Sequence, residues 1–494
     1  LPTAGEGLPT AGEGLPTAGE GLPTADEGLP TDGLGVIGKT RRRAKATAES
    51  VKIAQKGESI RCNQAWSLPA IARVCCRRWW FRRLRRAHGM AAEGAAIRAG
   101  VVRRGLWPYA SEDAVERRQA QQARNARTLD KAIIECAESG ESLPLAEVVV
   151  GSIANPEVKR SELMVRIRGC DAIAHDAGAT CEFWTLTAPS RFHARRTIAG
   201  KRTEPNPNYG GASPAQAHAY LNGVWSRARS AWKRAGLTVY GLRTAEPHHD
   251  GCPHWHLIAY GDAADLRVAR WIMKRYALKD DGGEDGARKH RFTALQAKRG
   301  RYGAHYAAKY IAKNINGAGM GKARDGEAGR PVTEAVRRVD AWAATWRIRQ
   351  FQFFGCPSVS IWRVLRRIDG PAGVRGSMIE RARQAADDAD FAEFWRCAKR
   401  GGLRLLYRSG GALTQYGDAA ADRIAGVAEG GRRVMLRVKT WVIHWAGKAL
   451  DAAGLGFGFP RSGVNNCTRR TVDYFADAAA AVFSIGVGDM PLRC

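Results

Sequence analysis

The sequence predicts an α+β protein built on a central, antiparallel-rich sheet with flanking helices. Three observations carry that prediction. Val239 to Leu242 and His254 to Tyr260 read as two strands, joined by the turn-forming Pro247, Asp250, Gly251 and Pro253. Phe183 to Thr187 is a run of β-branched and aromatic residues, stopped by Pro189. Helical stretches alternate with these strands. Strand, helix, strand, hairpin partner and helix (Asp265 to Ala277) give a split β-α-β order, with helices expected on one face of the sheet.

At 494 residues the chain can hold two or three domains and a sizeable core. Its formal charge of +30 favours a polyanionic partner, and nucleic acid fits that best. No apolar run reaches membrane-spanning length. The eleven cysteines are scattered without a CxxC pair, which argues against a zinc ribbon or a disulfide frame. Reduced thiols in a cytoplasm fit this usage.

In order, residues 1-35 are five tandem heptads of the LPTAGEG type. Pro and Gly in every unit forbid a continuous helix, and there is almost nothing apolar to bury, so disorder is expected. The tail lacks an initiator Met and the charged and apolar regions of a signal peptide; a mis-called start or translated repeat DNA is the expectation. Residues 36-140 are basic and mostly helical in pattern. They carry an arginine run at 39–45 and the stretch Cys75 to Arg86, where Trp79, Trp80 and Phe81 interleave with arginines including Arg82 and Arg83. Such a stretch can stack on bases while gripping phosphate, or it can be a helix with a buried aromatic stripe.

The pattern changes near Ala146. Val148 to Gly151 reads as a short strand or buried turn, and Glu162 to Arg168 as a helix or strand. Ser213 caps the next helix, Pro214 sits in its first turn, Gln216 completes a capping box, and Gly236 ends it. Asp280 to Gly286 is an acidic, Gly-rich loop that reads as a mobile cover or a solvated turn, with the turn favoured. Tyr302 to Ile315 reads as an Ala-rich helix ended by Asn316-Gly317, followed by a Gly-rich linker to Gly329. Trp342 to Phe354 interleaves Arg347 and Arg349 with aromatics; packing against the sheet is the favoured role, with both arginines as phosphate contacts. Residues 361 to 449 are mixed, with a basic strand from Arg432 to Trp441, and the final 45 residues are uninformative.

The candidate chemistry lies in two places. Strand side chains alternate, so His254 and His256 share one face while Trp255 and Leu257 enter the core on the other. The hairpin returns Glu246 beside them, and two imidazoles with one carboxylate suit a divalent metal with open positions. Alone, a His-x-His strand is as readily an exposed face or a satisfied pair. The downstream helix adds Tyr306 and Tyr310, an i, i+4 pair one turn apart, with Lys309 and Lys313 each three residues beyond a tyrosine.

Together these features resemble the HUH endonuclease superfamily of rolling-circle replication initiators. The wording EPHHDGCPHWH from Glu246, with FWTLTAPSRFH upstream and WRIRQFQFFG downstream, is similar to the replication gene A proteins of temperate tailed phages. The resemblance runs from about Trp79 to Thr468 and is most specific between Phe183 and Phe354. It implies an HUH core over residues 141-375, with residues 376-494 of unknown role. It also implies Mg²⁺ or Mn²⁺ on Glu246, His254 and His256, tyrosine nucleophiles assisted by Lys309 or Lys313, origin DNA as substrate, and a host helicase and polymerase as partners. The strand of Thr185 and Thr187 would lie beside the His-x-His strand, with both threonines mainly structural. The product would be a 5′-phosphotyrosine and a free 3′-hydroxyl that primes synthesis. Two other classes stay open: a mobilisation relaxase, and a non-catalytic DNA-binding protein whose histidines hold a structural metal.

Overall fold

The structure, a computed structural model, describes residues 67–445 apart from 199–201, 298–302, 316–323, 326–327, 369, 372–375, 412 and 437–438. The heptad repeat, the arginine run at 39–45, the helix end at Asn316-Gly317 and the final 45 residues lie outside the described residues. The chain falls into two compact units, Leu1–Trp80 and Phe81–Cys494. In the first, α1 (Leu68–Cys75) starts at Ser67 with Pro69 in its first turn, and Trp80 Nε1 donates to Val74 O at 2.6 Å.

Beyond α2 (Arg77–Arg98), α3 (Glu112–Leu129) is capped by Ser111, whose hydroxyl accepts from Ala114 N. Next come β1 (Ala132–Cys136), β2 (Ser142–Pro144), α4 (Leu145–Val150) and α5 (Pro156–Asp176). The sheet region runs β3 (Thr180–Thr187), β4 (Arg195–Ile198), β5 (Arg202–Pro205), α6 (Pro214–Arg234), β6 (Tyr240–Pro247), β7 (Pro253–Gly261), α7 (Ala263–Ala277), α8 (Ala287–His290), β8 (Phe292–Gln296) and α9 (Gly303–Ile315). After it come α10 (Val332–Trp346), β9 (Phe351–Phe354), α11 (Val359–Leu365), α12 (Met378–Asp387) and α13 (Phe391–Arg400), then β10 (Arg404–Arg408), β11 (Arg423–Glu429), β12 (Arg432–Met435) and β13 (Trp441–Trp445).

The central sheet has the order β8-β3-β7-β6-β9, and every pairing in it is antiparallel. β3 and β6 both run antiparallel to β7, so they are parallel to one another and split by it, with α6 as the crossover. The capping box of α6 forms as read: Ser213 Oγ accepts from Gln216 N at 3.4 Å, and Gln216 Oε1 accepts from Ser213 N at 2.7 Å.

Helices cover both faces of the sheet, not one. Trp255, Leu257 and Ala259 of β7 join Trp184 of β3 in one core with α6 and α7. Ile258 and Tyr260 join a second core with α5, α9 and α11 to α13. The reason is in β7: Trp255, Leu257 and Ala259 on one face and Ile258 and Tyr260 on the other are apolar, and a strand apolar on both faces needs cover on both. Trp184 and Trp255 are fully buried, and each large side chain of this kind contributes about 2–3 kcal/mol.

Two local expectations change. Val148 to Val150 belong to a helix, not a strand or buried turn, and Val150 is 54% exposed. A short apolar run carries no periodicity to decide this. Likewise Arg432 to Trp441 is not one strand, because β12 and β13 lie in different sheets. Glu162 to Arg168 falls within α5, where Glu162 takes a two-pronged ion pair from Arg363 at 2.7 and 2.8 Å, and Arg166 lies 3.8 Å over the Phe353 ring.

Candidate metal centre and tyrosine helix

The hairpin is held by its own turn. Gly251 takes φ +82°, where a side chain is strained, and its N–H donates to His248 O at 2.8 Å. Asp250 accepts from Cys252 N at 3.0 Å and from Arg195 N at 3.3 Å, with His193 Nδ1 also at 3.3 Å. Burial alone would raise the Asp250 carboxyl; His193, His249 and His248 instead hold it below the usual carboxylate range. This fixes the register Glu246↔His254 and Thr244↔His256.

That register brings the ligand types together. Atoms of Glu246, His254 and His256 lie within 4.8 Å of one another. The two Nε2 atoms stand 2.9 Å apart, and His256 Nδ1 lies 3.1 Å from Thr185 Oγ1. A His256 Nδ1–H donated to Thr185 leaves the Nε2 lone pair for a ligand. Burial, then His248, His256 and Lys313, pushes the His254 imidazole well below its usual pKa, so it is a neutral donor. Two imidazole nitrogens and one carboxylate oxygen at this spacing fit a divalent cation.

Glu246 is 1% exposed and fully engaged. Its Oε1 accepts from Asn314 Nδ2 at 2.6 Å, and Lys313 Nζ lies 3.3 Å from Oε2. Lys313 also pairs with Asp325 Oδ2 at 3.1 Å, and Tyr109 donates to Asp325 Oδ1 at 2.6 Å. The ammonium therefore sits between two buried carboxylates.

Helix α9 is fastened at both ends. At its start, Gly303 N and Ala304 N donate to Asp171 at 2.8 and 2.9 Å, and Tyr260 Oη donates to the same carboxylate at 2.6 Å. Gly303 is required there, since a Cβ would lie 2.0 Å from Tyr260 Oη. At its end, Asn314 and Lys313 hold Glu246. Between these points Tyr306 and Tyr310 both stack on Phe183, at 5.8 and 5.3 Å between centroids, and Tyr310 lies 4.6 Å from the His256 ring. The Lys309 side chain lies outside the described residues.

The other expected positions stand elsewhere. Arg347 is exposed in a left-handed conformation that ends α10, and Arg349 is exposed, its Nε donating to Phe351 O at 3.2 Å. Arg82 and Arg83 are exposed on α2, with Arg82 donating to Tyr416 Oη at 3.2 Å. Sequence reasoning missed Asn314, Asp325, Asp171 and Phe183, and took Thr185 as mainly structural. Only Asn314 carried a signal, one helical turn beyond Tyr310.

Fold and site together define an α+β protein with a candidate divalent-metal centre facing a pair of tyrosines. The chain belongs to the bacteriophage replication gene A protein family, whose sequence profile matches residues 36–318. It is 36% identical over 442 residues to the replication gene A protein of Escherichia phage P2, covering 84% of this chain and 57% of that one. It is 37% identical over 425 residues to the protein of that name from Escherichia phage 186, covering 81% and 60%. A probable replication endonuclease from a prophage-like region of Salmonella typhimurium is 32% identical over 433 residues, covering 81% and 52%. The chain thus spans little more than half the length of these relatives. No solved structure matches it. Among the described residues no helix is long and apolar enough to cross a membrane.

Proposed function

We propose that this protein is a site-specific single-strand DNA endonuclease and ligase, a tyrosine transesterase that nicks a phage origin and starts rolling-circle replication. The observation that carries this reading is the Tyr310 ring lying against the candidate ligand His256, with Tyr306 beside it on the same Phe183. The names of relatives, replication gene A protein and replication endonuclease, agree with it. On this reading residues 141-375 are the HUH core, flanked by the basic helical region 36-140 and by residues 376-494, to which no role is assigned, and the protein works in the bacterial cytoplasm with a host helicase and polymerase.

Glu246, His254 and His256 would hold Mg²⁺ or Mn²⁺. The bound cation supplies positive charge to a non-bridging phosphate oxygen and so makes phosphorus easier to attack. Tyr306 or Tyr310 forms the new O–P bond as its phenol loses a proton. The bond from phosphorus to the 3′ oxygen breaks, and that oxygen leaves as a hydroxyl. The phosphotyrosine conserves the bond, so rejoining needs no ATP. Lys313, held between Glu246 and Asp325, offsets part of the negative charge beside the site. The exposed Arg347, Arg349, Arg82 and Arg83 contact phosphates.

The test is to mix the protein with labelled single-stranded DNA and Mn²⁺ and to look for a covalent adduct that survives SDS. An adduct carrying phosphotyrosine supports the reading. Binding with no adduct at any Mn²⁺ concentration refutes it in favour of a non-catalytic DNA-binding protein.

A further inference from the structure

A second recess opens beside the candidate metal centre. It is a cleft of about 350 Å³ between α3, the start of α5, the end of α9 and α10. That volume lies in the range of small-ligand sites. Asn314 and Gln350 line one wall, and Asn314 links that wall to the metal centre. Gln350 Nε2 donates to Asn314 Oδ1 at 3.1 Å, while Asn314, 3% exposed, donates to Glu246.

The rest of the cleft has a definite charge. Arg118, Lys159 and Arg337 line it against a single carboxylate, Asp340. Asp340 is already engaged by Arg118, at 2.7 and 3.0 Å. Lys159 lies 5.4 Å over the Phe351 ring and is half-buried. By charge count two cations therefore remain to meet an anion. The Gln350 carboxamide oxygen can accept from the amino group of a base.

We propose that this cleft is a nucleotide subsite for the strand being cut. It takes a nucleotide next to the cleaved bond, with its phosphate toward Lys159 and Arg337 and its base edge toward Gln350. This rests on the nicking reading above and adds where sequence is read. Because Gln350 and Asn314 join the subsite to Glu246, a correctly seated base is linked to the ligand carboxylate through two hydrogen bonds.

The test uses the full chain, Mn²⁺ and single-stranded oligonucleotides randomised over a central stretch, with sequencing of the cut ends and, separately, of the oligonucleotides retained by the protein without cutting. Wild type should show a base preference at positions flanking the cut. Gln350→Ala should lose about fivefold to tenfold of that preference at one position and keep it elsewhere, as expected for one hydrogen bond. Lys159→Ala should lower the log–log salt slope of binding by about 0.7, one phosphate contact. Should Gln350→Ala lose cutting outright, the retained pool reads the same preference without it. Preferences and salt slope that match wild type in both variants overturn the subsite. A wild-type chain that retains chosen sequences but cuts none refutes the nicking reading and leaves the binding preference to judge the cleft.

Discussion

Thr185→Val removes one hydroxyl from the site and little else. Thr185 sits on β3 directly opposite His256 on β7. Its Oγ1 is 3.1 Å from His256 Nδ1, on the side of the ring away from the facing Nε2 atoms. Valine has the same shape and an equal liking for strands, so the sheet pairing persists. What is lost is the partner that fixes the tautomer and tilt of His256. Partners of this kind are worth roughly 10–100-fold in metal affinity, about 1.4–2.7 kcal/mol. The lower end is expected here, because Phe183 and Tyr310 still pack on the ring at 5.3 and 4.6 Å. Calorimetric titration with Mn²⁺ measures the affinity, and adduct yield at limiting Mn²⁺ measures its consequence. Thr185→Ser should restore both. Mn²⁺ affinity within twofold of wild type, or a loss that merely follows a lower Tm, would refute the reasoning.

Tyr306→Phe and Tyr310→Phe should each keep some single cleavage of short oligonucleotides, the double variant none, and each single variant should fail at coupled cutting and joining; phosphotyrosine mapped to one position only, even when that residue's partner is Phe, excludes alternation. Gly303→Ala should cost about 1–3 kcal/mol, because its Cβ would meet Tyr260 Oη at 2.0 Å and Ile258 Cγ2 at 2.5 Å. It should lower adduct yield by more than the fall in Tm explains, and an unchanged Tm with full yield contradicts the packing at α9. His218 has its pKa pushed down to about 4 by burial and then by Arg243, and Trp255 Nε1 donates to its Nδ1 at 3.3 Å. The folded state thus resists protonation that the unfolded state accepts, so this stability is present above pH 6.5 and is lost as pH falls toward 4. Urea titrations at pH 7 and pH 5 should differ by about 2 kcal/mol more in wild type than in His218→Gln. Equal differences would remove His218 from the acid response.

Legibility in the sequence tracked the range of the interaction. The capping box of α6 and the turn at Asp250-Gly251 are set by neighbours in sequence, and both formed as read. The His-x-His geometry follows from strand alternation alone, and the structure brings Glu246, His254 and His256 together. Asp171 is different: it caps a helix that begins 132 residues later, so nothing local marks it. Asn314 and Glu246 are 68 residues apart, and their bond appears only once α9 is laid on the sheet. Helices on both faces were missed because cover on the second face comes from α5 and from α11 to α13, whose charged positions disguise the buried stripe. The pairs of Glu162 with Arg363 and of Arg166 with Phe353 account for that disguise.

The two fastenings of α9 decide which body moves during strand exchange. A helix clamped at Asp171 and again at Glu246 cannot slide or roll to present first one tyrosine and then the other. Its tyrosines are fixed posts just over one turn apart, roughly 6 Å along the axis. On the proposed mechanism the DNA end must therefore shuttle between them, past a stationary Phe183. Replication would advance through the travel of the nucleic acid, with the protein serving as a vice rather than a lever.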